Sequence, residues 1–113
     1  MTGPLISTHV LDTAQGHPAA GVRVVLDRLG ESEPVRVGEA ETNDDGRIAD
    51  LARGPIEPGR YRLAFDTGAY LAGAGEAGFL QRVVVEFEAG AGDRHYHIPL
   101  LLAPFGATTY RGS

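Results

Sequence analysis

The sequence contains no cysteine and no lysine. The first absence removes disulfides, thiol nucleophiles and cysteine-based zinc sites. The second removes Schiff-base chemistry and the lysine of a phosphate-binding loop, because all ten basic residues are arginines. Positive charge is also outnumbered: fifteen acidic residues leave a net charge of -5. Binding to a phosphate backbone rests on a clustered basic face, so nucleic acid is not an expected partner. No apolar run approaches the ~20 residues that cross a bilayer, and Met1 to His9 carry neither the basic start nor the apolar stretch of a secretory signal. A cytoplasmic protein with no membrane partner is expected.

Sustained helical periodicity is missing too, as sixteen glycines and seven prolines interrupt the chain throughout. What is present reads as a folded chain: 42% apolar and 22% charged residues match ordinary globular composition and argue against disorder. At 113 residues, with no internal repeat and no linker, a single domain spanning 1–113 is expected. A domain of this size leaves much of its surface uncovered, which favours association between copies.

Short strands fill the chain. Ile6 to Asp12 reads as the first and Gly21 to Leu29 as the second, with Val22, Val24 and Leu26 on one face and the turn Ala14 to Pro18 between them. Pro34 to Glu41 follows, then the turn formers Thr42-Asn-Asp-Asp-Gly46, and Arg47 to Leu51 as an edge strand. Gly59 to Asp66 alternates Tyr61, Leu63 and Phe65 against Arg60, Arg62 and Ala64. Thr67 to Ala77 is the one helix candidate, capped by Thr67 and weakened by its glycines. Phe79 to Glu88 reads as a strand, Ala89 to Asp93 as a turn, and Arg94 to Leu102 as the hairpin partner. Thr108 to Ser113 makes a last strand. The pattern predicts an all-β, two-sheet sandwich of about eight strands with one short helix.

The strongest chemical signal is His95-Tyr96-His97, since alternate residues on a strand share a face and both imidazoles then point the same way. Histidine exchanges protons near neutral pH. His9 lies in the first strand with Ser7 and Leu11 on its face, where nothing in the apolar pattern calls for a histidine. Each of these also fits a surface histidine or one satisfied in the core. Arg47 leaves a glycine turn, a place from which a rigid loop can aim a guanidinium at a carbonyl or an anion, or simply at solvent. His9, His95 and His97 could offer three nitrogens to zinc, but no carboxylate stands at a confirming spacing, and no metal is expected. Serine-hydrolase, phosphate-loop and His-Glu-x-x-His motifs are absent.

Four segments together carry a family resemblance: Leu5-Ile-Ser-Thr-His-Val-Leu-Asp12 with Gly16-His-Pro-Ala19, Thr42-Asn-Asp-Asp-Gly-Arg47, His95-Tyr-His-Ile-Pro-Leu-Leu-Leu102 and Tyr110-Arg-Gly-Ser113. In this order they resemble the 5-hydroxyisourate hydrolases of the transthyretin-like family. The terminal Tyr-Arg-Gly-Ser is the most specific, because it separates these enzymes from the hormone carriers of the same fold. The sequence departs from the family at Ala103, where serine is usual, at Ala107-Thr108, where Tyr-Ser is usual, and at Phe79-Leu80-Gln81, commonly richer in aromatics and proline.

The resemblance implies a transthyretin-like sandwich assembled as a homotetramer, with active sites in a channel between dimers. It implies catalytic roles for His9, Arg47 and His97, and substrate binding by Tyr110, Arg111 and Ser113. It implies hydrolysis of a ring amide of 5-hydroxyisourate, a small molecule of urate breakdown, to a ureidoimidazoline carboxylate. In that scheme one imidazole activates water, the His9 and His97 pair relays the proton to the leaving nitrogen, and Arg47 holds the oxyanion. No metal or organic cofactor enters the scheme.

Overall fold

The computed structural model describes residues 3–92 and 94–113. Its elements in chain order are β1 (Ile6–Asp12), β2 (His17–Pro18), β3 (Arg23–Leu29), β4 (Val35–Glu41), β5 (Arg47–Ile48), β6 (Gly59–Phe65), α1 (Thr67–Gly73), β7 (Val83–Ala89), β8 (Tyr96–Ala103) and β9 (Gly106–Thr109). The first sheet runs β2-β1-β8-β9, with β5 also pairing β1, and the second runs β4-β3-β6-β7. A two-sheet all-β fold with one short helix is the class that the strand pattern predicts.

Burial follows the side-chain alternation of each strand. In β1, Ile6, Thr8, Val10 and Asp12 are buried while Ser7, His9 and Leu11 lie on the other face. In β6, Tyr61, Leu63 and Phe65 point inward as their spacing predicts. They join Val24 and Leu26 of β3, Ile6 and Val10 of β1, and Ile98, Leu100 and Leu102 of β8 in one core. Full burial of a side chain such as Phe65 or Leu63 contributes about 1.5–3 kcal/mol. The helix packs Leu71 into this core.

Several elements differ from the sequence expectation. β7 and β8 are not a hairpin: β7 pairs only β6, and β8 lies in the other sheet between β1 and β9. Turn residues at 89–92 signal a reversal of the chain but carry no information on which sheet receives the next strand. The β1 and β8 pair is parallel, and its apolar partners are more than eighty residues apart in sequence. His17 and Pro18, expected in a turn, form the two-residue strand β2 against Leu11 and Asp12. The helix is capped by Asp66, whose Oδ1 accepts from the Ala69 N–H, while the Thr67 hydroxyl donates to the Leu80 carbonyl. The last strand ends at Thr109, and a separate bridge ties Gly112 to His97. Asp93, the end of one expected turn, lies outside the described residues.

The two outer faces differ in character. That of the second sheet is laced with ion pairs, including Arg36 to Asp27 at 2.7 Å, Arg23 to Glu39 at 2.8 Å and Arg36 to Glu39 at 2.9 Å. The first sheet carries no ion pair among the described residues and instead presents Ser7, His9, Leu11, His97 and Leu101. No helix among the described residues is long and apolar enough to cross a membrane.

Candidate active site

Strand register assembles the polar groups on the outer face of the first sheet. Ser7 stands opposite His97 in the parallel β1 and β8 pair. His9 stands opposite Arg47 in the antiparallel β1 and β5 pair. Directly opposed residues share a face, so these four side chains converge from three strands.

The turn before Arg47 explains how the guanidinium is presented. Asn43 Oδ1 accepts from the backbone N–H groups of Asp45 and Arg47, both at 2.9 Å, and the Gly46 N–H donates to the Asn43 carbonyl at 2.8 Å. Gly46 adopts φ +75°, and a side chain there would run into the Val10 carbonyl oxygen. Glycine is therefore required by both conformation and space. The Gly46 carbonyl in turn accepts from the Val10 N–H at 2.7 Å, locking the turn beside β1.

A cleft of about 830 Å³ opens on this face, lined by Gly3, Ser7, Thr8, Arg47, Ile48, Ala49, Arg94, His95, His97 and Ser113. Its size suits a small organic molecule. Ser7 Oγ lies 2.8 Å from His97 Nδ1, and His95 Nδ1 accepts from the Leu5 N–H at 3.2 Å. Burial, then the positive charges of His9 and Arg47, push the His97 imidazole below its usual pKa. An imidazole whose protonation is disfavoured, a guanidinium carried on a hydrogen-bonded turn and a hydroxyl at one cavity can activate water and receive a developing negative charge.

The expected site residues divide into two groups. Arg47, His97 and Ser113 line the cleft together; His9 is not among its lining residues, but its charge reaches His97. Tyr110 and Arg111 line a separate cavity of about 210 Å³ with Val85 and Phe87 of β7 and Tyr96 and Ile98 of β8. The Arg111 guanidinium stacks over the Tyr96 ring at 4.3 Å, an attractive cation–π geometry. Between these two segments of the terminus, the Gly112 N–H donates to the His97 carbonyl at 2.6 Å and delivers Ser113 to the cleft.

His95, which the sequence marks beside His97 without a settled role, also lines the cleft, as do Ser7 and Arg94, which it does not mark as site residues. The signal for Ser7 was its place two residues before His9 on the same strand face. His95 had the matching alternation with His97, while Arg94 had only its proximity. No group of three or more His, Asp or Glu side chains arranged to hold a metal ion occurs among the described residues.

Comparison with known proteins agrees over nearly the full length. The model of the HIUase/Transthyretin family matches residues 6–112. The 5-hydroxyisourate hydrolase of Deinococcus radiodurans is 44% identical over 115 residues, covering 97% of this chain and 97% of that protein. Among solved structures, the Klebsiella pneumoniae 5-hydroxyisourate hydrolase superposes with a TM-score of 0.87 at 42% identity, covering 97% of this chain and 99% of that one. Sea bream transthyretin, solved in complex with thyroxine, superposes with a TM-score of 0.87 at 30% identity, covering 95% and 93%.

Proposed function

This chain belongs to the HIUase/Transthyretin family, and on that basis we propose that it catalyses the hydrolytic ring opening of 5-hydroxyisourate. The observation that carries this reading is the convergence of His97, Arg47 and Ser113 on one cleft of about 830 Å³, in a chain whose relatives of matching length are named for this reaction. The transthyretin fold also carries thyroxine in the sea bream protein. A hormone carrier calls for an apolar channel, whereas the lining of the cleft here includes two arginines, two histidines and Ser113.

His97, whose protonated form is disfavoured first by burial and then by its neighbours His9 and Arg47, removes a proton from water. The resulting hydroxide attacks the amide carbonyl of the six-membered ring. Arg47 binds the oxyanion of the tetrahedral intermediate; loss of one such donor costs about 2.7–4 kcal/mol in other enzymes. As the ring C–N bond breaks, the proton passes through the His9 and His97 pair to the leaving nitrogen. One water is consumed, and a ureidoimidazoline carboxylate is released. Ser113 orients the substrate, and Tyr110 and Arg111, also assigned to substrate binding, line the separate smaller cavity. The scheme uses no metal or organic cofactor.

The same reading includes a homotetramer with the cleft faces apposed, acting in cytoplasmic urate breakdown. The association of copies is supported by the contrast between the two outer faces: the first sheet presents Leu11 and Leu101 beside the cleft residues, without, among the described residues, the ion pairs that cover the second. Apposed copies would close the open side of the cleft and exclude bulk water.

The test is to generate 5-hydroxyisourate in situ from urate with urate oxidase and follow its ultraviolet decay with the wild-type protein and with His97→Ala. Acceleration above spontaneous decay that disappears in the variant is expected. A folded wild-type protein that leaves the decay unchanged would overturn the assignment.

A further inference from the structure

The His97 ring is gripped on two edges. Its Nδ1 edge faces Ser7 Oγ at 2.8 Å. On the opposite edge, Cδ2 faces Gly112 so closely that an added Cβ there would lie 2.7 Å away. With both edges held against neighbours, Cε1 and Nε2 are the ring atoms left to address the cleft. The two grips differ in kind: Gly112 fixes the ring by contact alone, whereas Ser7 can select which nitrogen carries the proton.

We infer that Ser7 is a positioning residue that accepts a hydrogen bond from His97 Nδ1–H and so presents Nε2 to the cleft as an unprotonated base. This rests on the hydrolytic reading of the site and deepens it. A hydroxyl can donate or accept, so the 2.8 Å separation fits either tautomer. The chemistry separates them. If Ser7 donated, Nε2 would carry the hydrogen and could not take a proton from water. With Ser7 accepting, Nε2 gains a proton in the attack step and returns it at ring opening, while Nδ1–H keeps the same partner throughout. The Ser7 hydroxyl has no other hydrogen-bond partner among the described residues, so its own O–H is available to a water or substrate atom in the cleft that it lines.

A neutral acceptor also suits this position. A carboxylate beside Nδ1 would favour the imidazolium and slow return of the proton, whereas a hydroxyl orients the ring without adding charge. Side-chain rotation would otherwise exchange the places of Nδ1 and Cδ2, and only one of the two orientations satisfies Ser7.

Two measurements on the intact protein test this. In the first, nitrogen-15 NMR of histidine-labelled wild-type protein above the His97 titration reads the tautomer directly and needs no substrate. A protonated Nδ1 and an unprotonated Nε2 are expected, with the Nδ1–H population falling in Ser7→Ala. A wild-type spectrum showing Nε2–H at His97, or no change in Ser7→Ala, would overturn the inference. In the second, Ser7→Ala should lower kcat about tenfold, the scale of one lost hydrogen bond, with KM within about twofold, as expected when transition-state rather than uniform binding is lost. Ser7→Thr, which restores the hydroxyl, should recover most of that loss. Unchanged kcat in Ser7→Ala, or an equal loss in Ser7→Thr, would overturn it as well. Absence of hydrolysis by wild-type protein with the expected NMR result would instead remove the hydrolase reading and leave the Ser7 control of the tautomer in place.

Discussion

A Cβ built on Gly112 lies 2.7 Å from Cδ2 of the His97 ring and 3.3 Å from the His97 carbonyl oxygen. The terminal segment can pass His97 at this distance only because residue 112 has no side chain. Gly112→Ala must therefore push either the ring or the terminus aside. A displacement of about 1 Å at a reacting group can cost 10²-fold, so kcat/KM is expected to fall about 10- to 100-fold. Thermal melting should change little, because the bridge lies outside the core. Gly106→Ala, whose Cβ meets nothing within 4 Å, serves as the control and should retain activity.

Arg47→Lys keeps the charge but loses the planar fork that can offer two parallel N–H groups to an oxyanion. The proposed role predicts a fall in kcat of about 10²-fold with an unchanged melting temperature, since the side chain is exposed. Near-normal turnover by Arg47→Lys would count against an oxyanion role and leave a general electrostatic one.

The pH dependence follows from the direction of the His97 shift. Burial, then the charges of His9 and Arg47, lower its folded pKa, so the neutral ring survives below the ordinary value of about 6.5. The acid limb that His97 imposes on kcat/KM is expected below that value. The linkage to stability has the same sign. As pH falls below about 6.5, an unfolded His97 takes up a proton before the folded one does. Its contribution to stability is present above the ordinary value and is lost as pH falls through the folded pKa. Melting curves of wild type and His97→Gln between neutral and mildly acidic pH should converge if this is correct.

A second charged cluster fastens the helix to β1. Buried Asp12 accepts from the Tyr70 hydroxyl at 2.8 Å and from the N–H groups of Ala14 and Gln15 at 3.1 and 3.0 Å. Burial pushes its carboxyl up, but the neighbouring Glu76 carboxyl and the hydrogen bonds from Tyr70 and the two amides outweigh that and hold it below the usual value. The Glu76 carboxyl is raised, first by the neighbouring Asp12 carboxyl and then by burial. Tyr70→Phe should destabilise the fold by about 1–3 kcal/mol, the range for leaving a buried partner short of a donor, while turnover is retained. Stability from Asp12 is present above about 3.9 and is lost as pH falls. Weakening its hydrogen bonds in Tyr70→Phe should move that loss to higher pH. Glu76 contributes in the opposite sense, losing stability as pH rises through its raised folded pKa, and Glu76→Gln should remove that dependence.

Removal of Arg111, Gly112 and Ser113 is expected to abolish hydrolysis while leaving a folded protein. Ser113 lines the cleft and Gly112 buttresses His97, whereas the Tyr96 ring beneath Arg111 stays packed against Phe87 at 5.7 Å without them. Circular dichroism and the urate-coupled decay assay separate the two effects. A truncated chain that unfolds would make the segment structural instead.

Local pattern determined much of this protein. The alternation in Gly21–Leu29 and Gly59–Asp66 identified the inward faces because side-chain direction on a strand has a period of two. The turn at 42–46 and the glycine before Arg47 were legible because turns demand particular residue types. The shared face of His95 and His97, and that of Ser7, His9 and Leu11, followed from the same alternation. Four short motifs in a fixed order were enough to indicate the family.

Only the tertiary structure decided how these pieces meet. No local signal tells a strand which sheet to join, so the crossing from β7 to β8 and the parallel pairing of β8 with β1 were hidden in a sequence that reads as a hairpin. That pairing is what sets Ser7 beside His97, ninety residues away. The division of the terminus was likewise unreadable: Arg111 stacks on Tyr96 in one cavity while Ser113 enters another. Sequence specifies which residues can occupy a strand face, because sterics and alternation act over a few residues. Which faces confront one another is settled by burial of the whole core, a property that no short segment holds by itself.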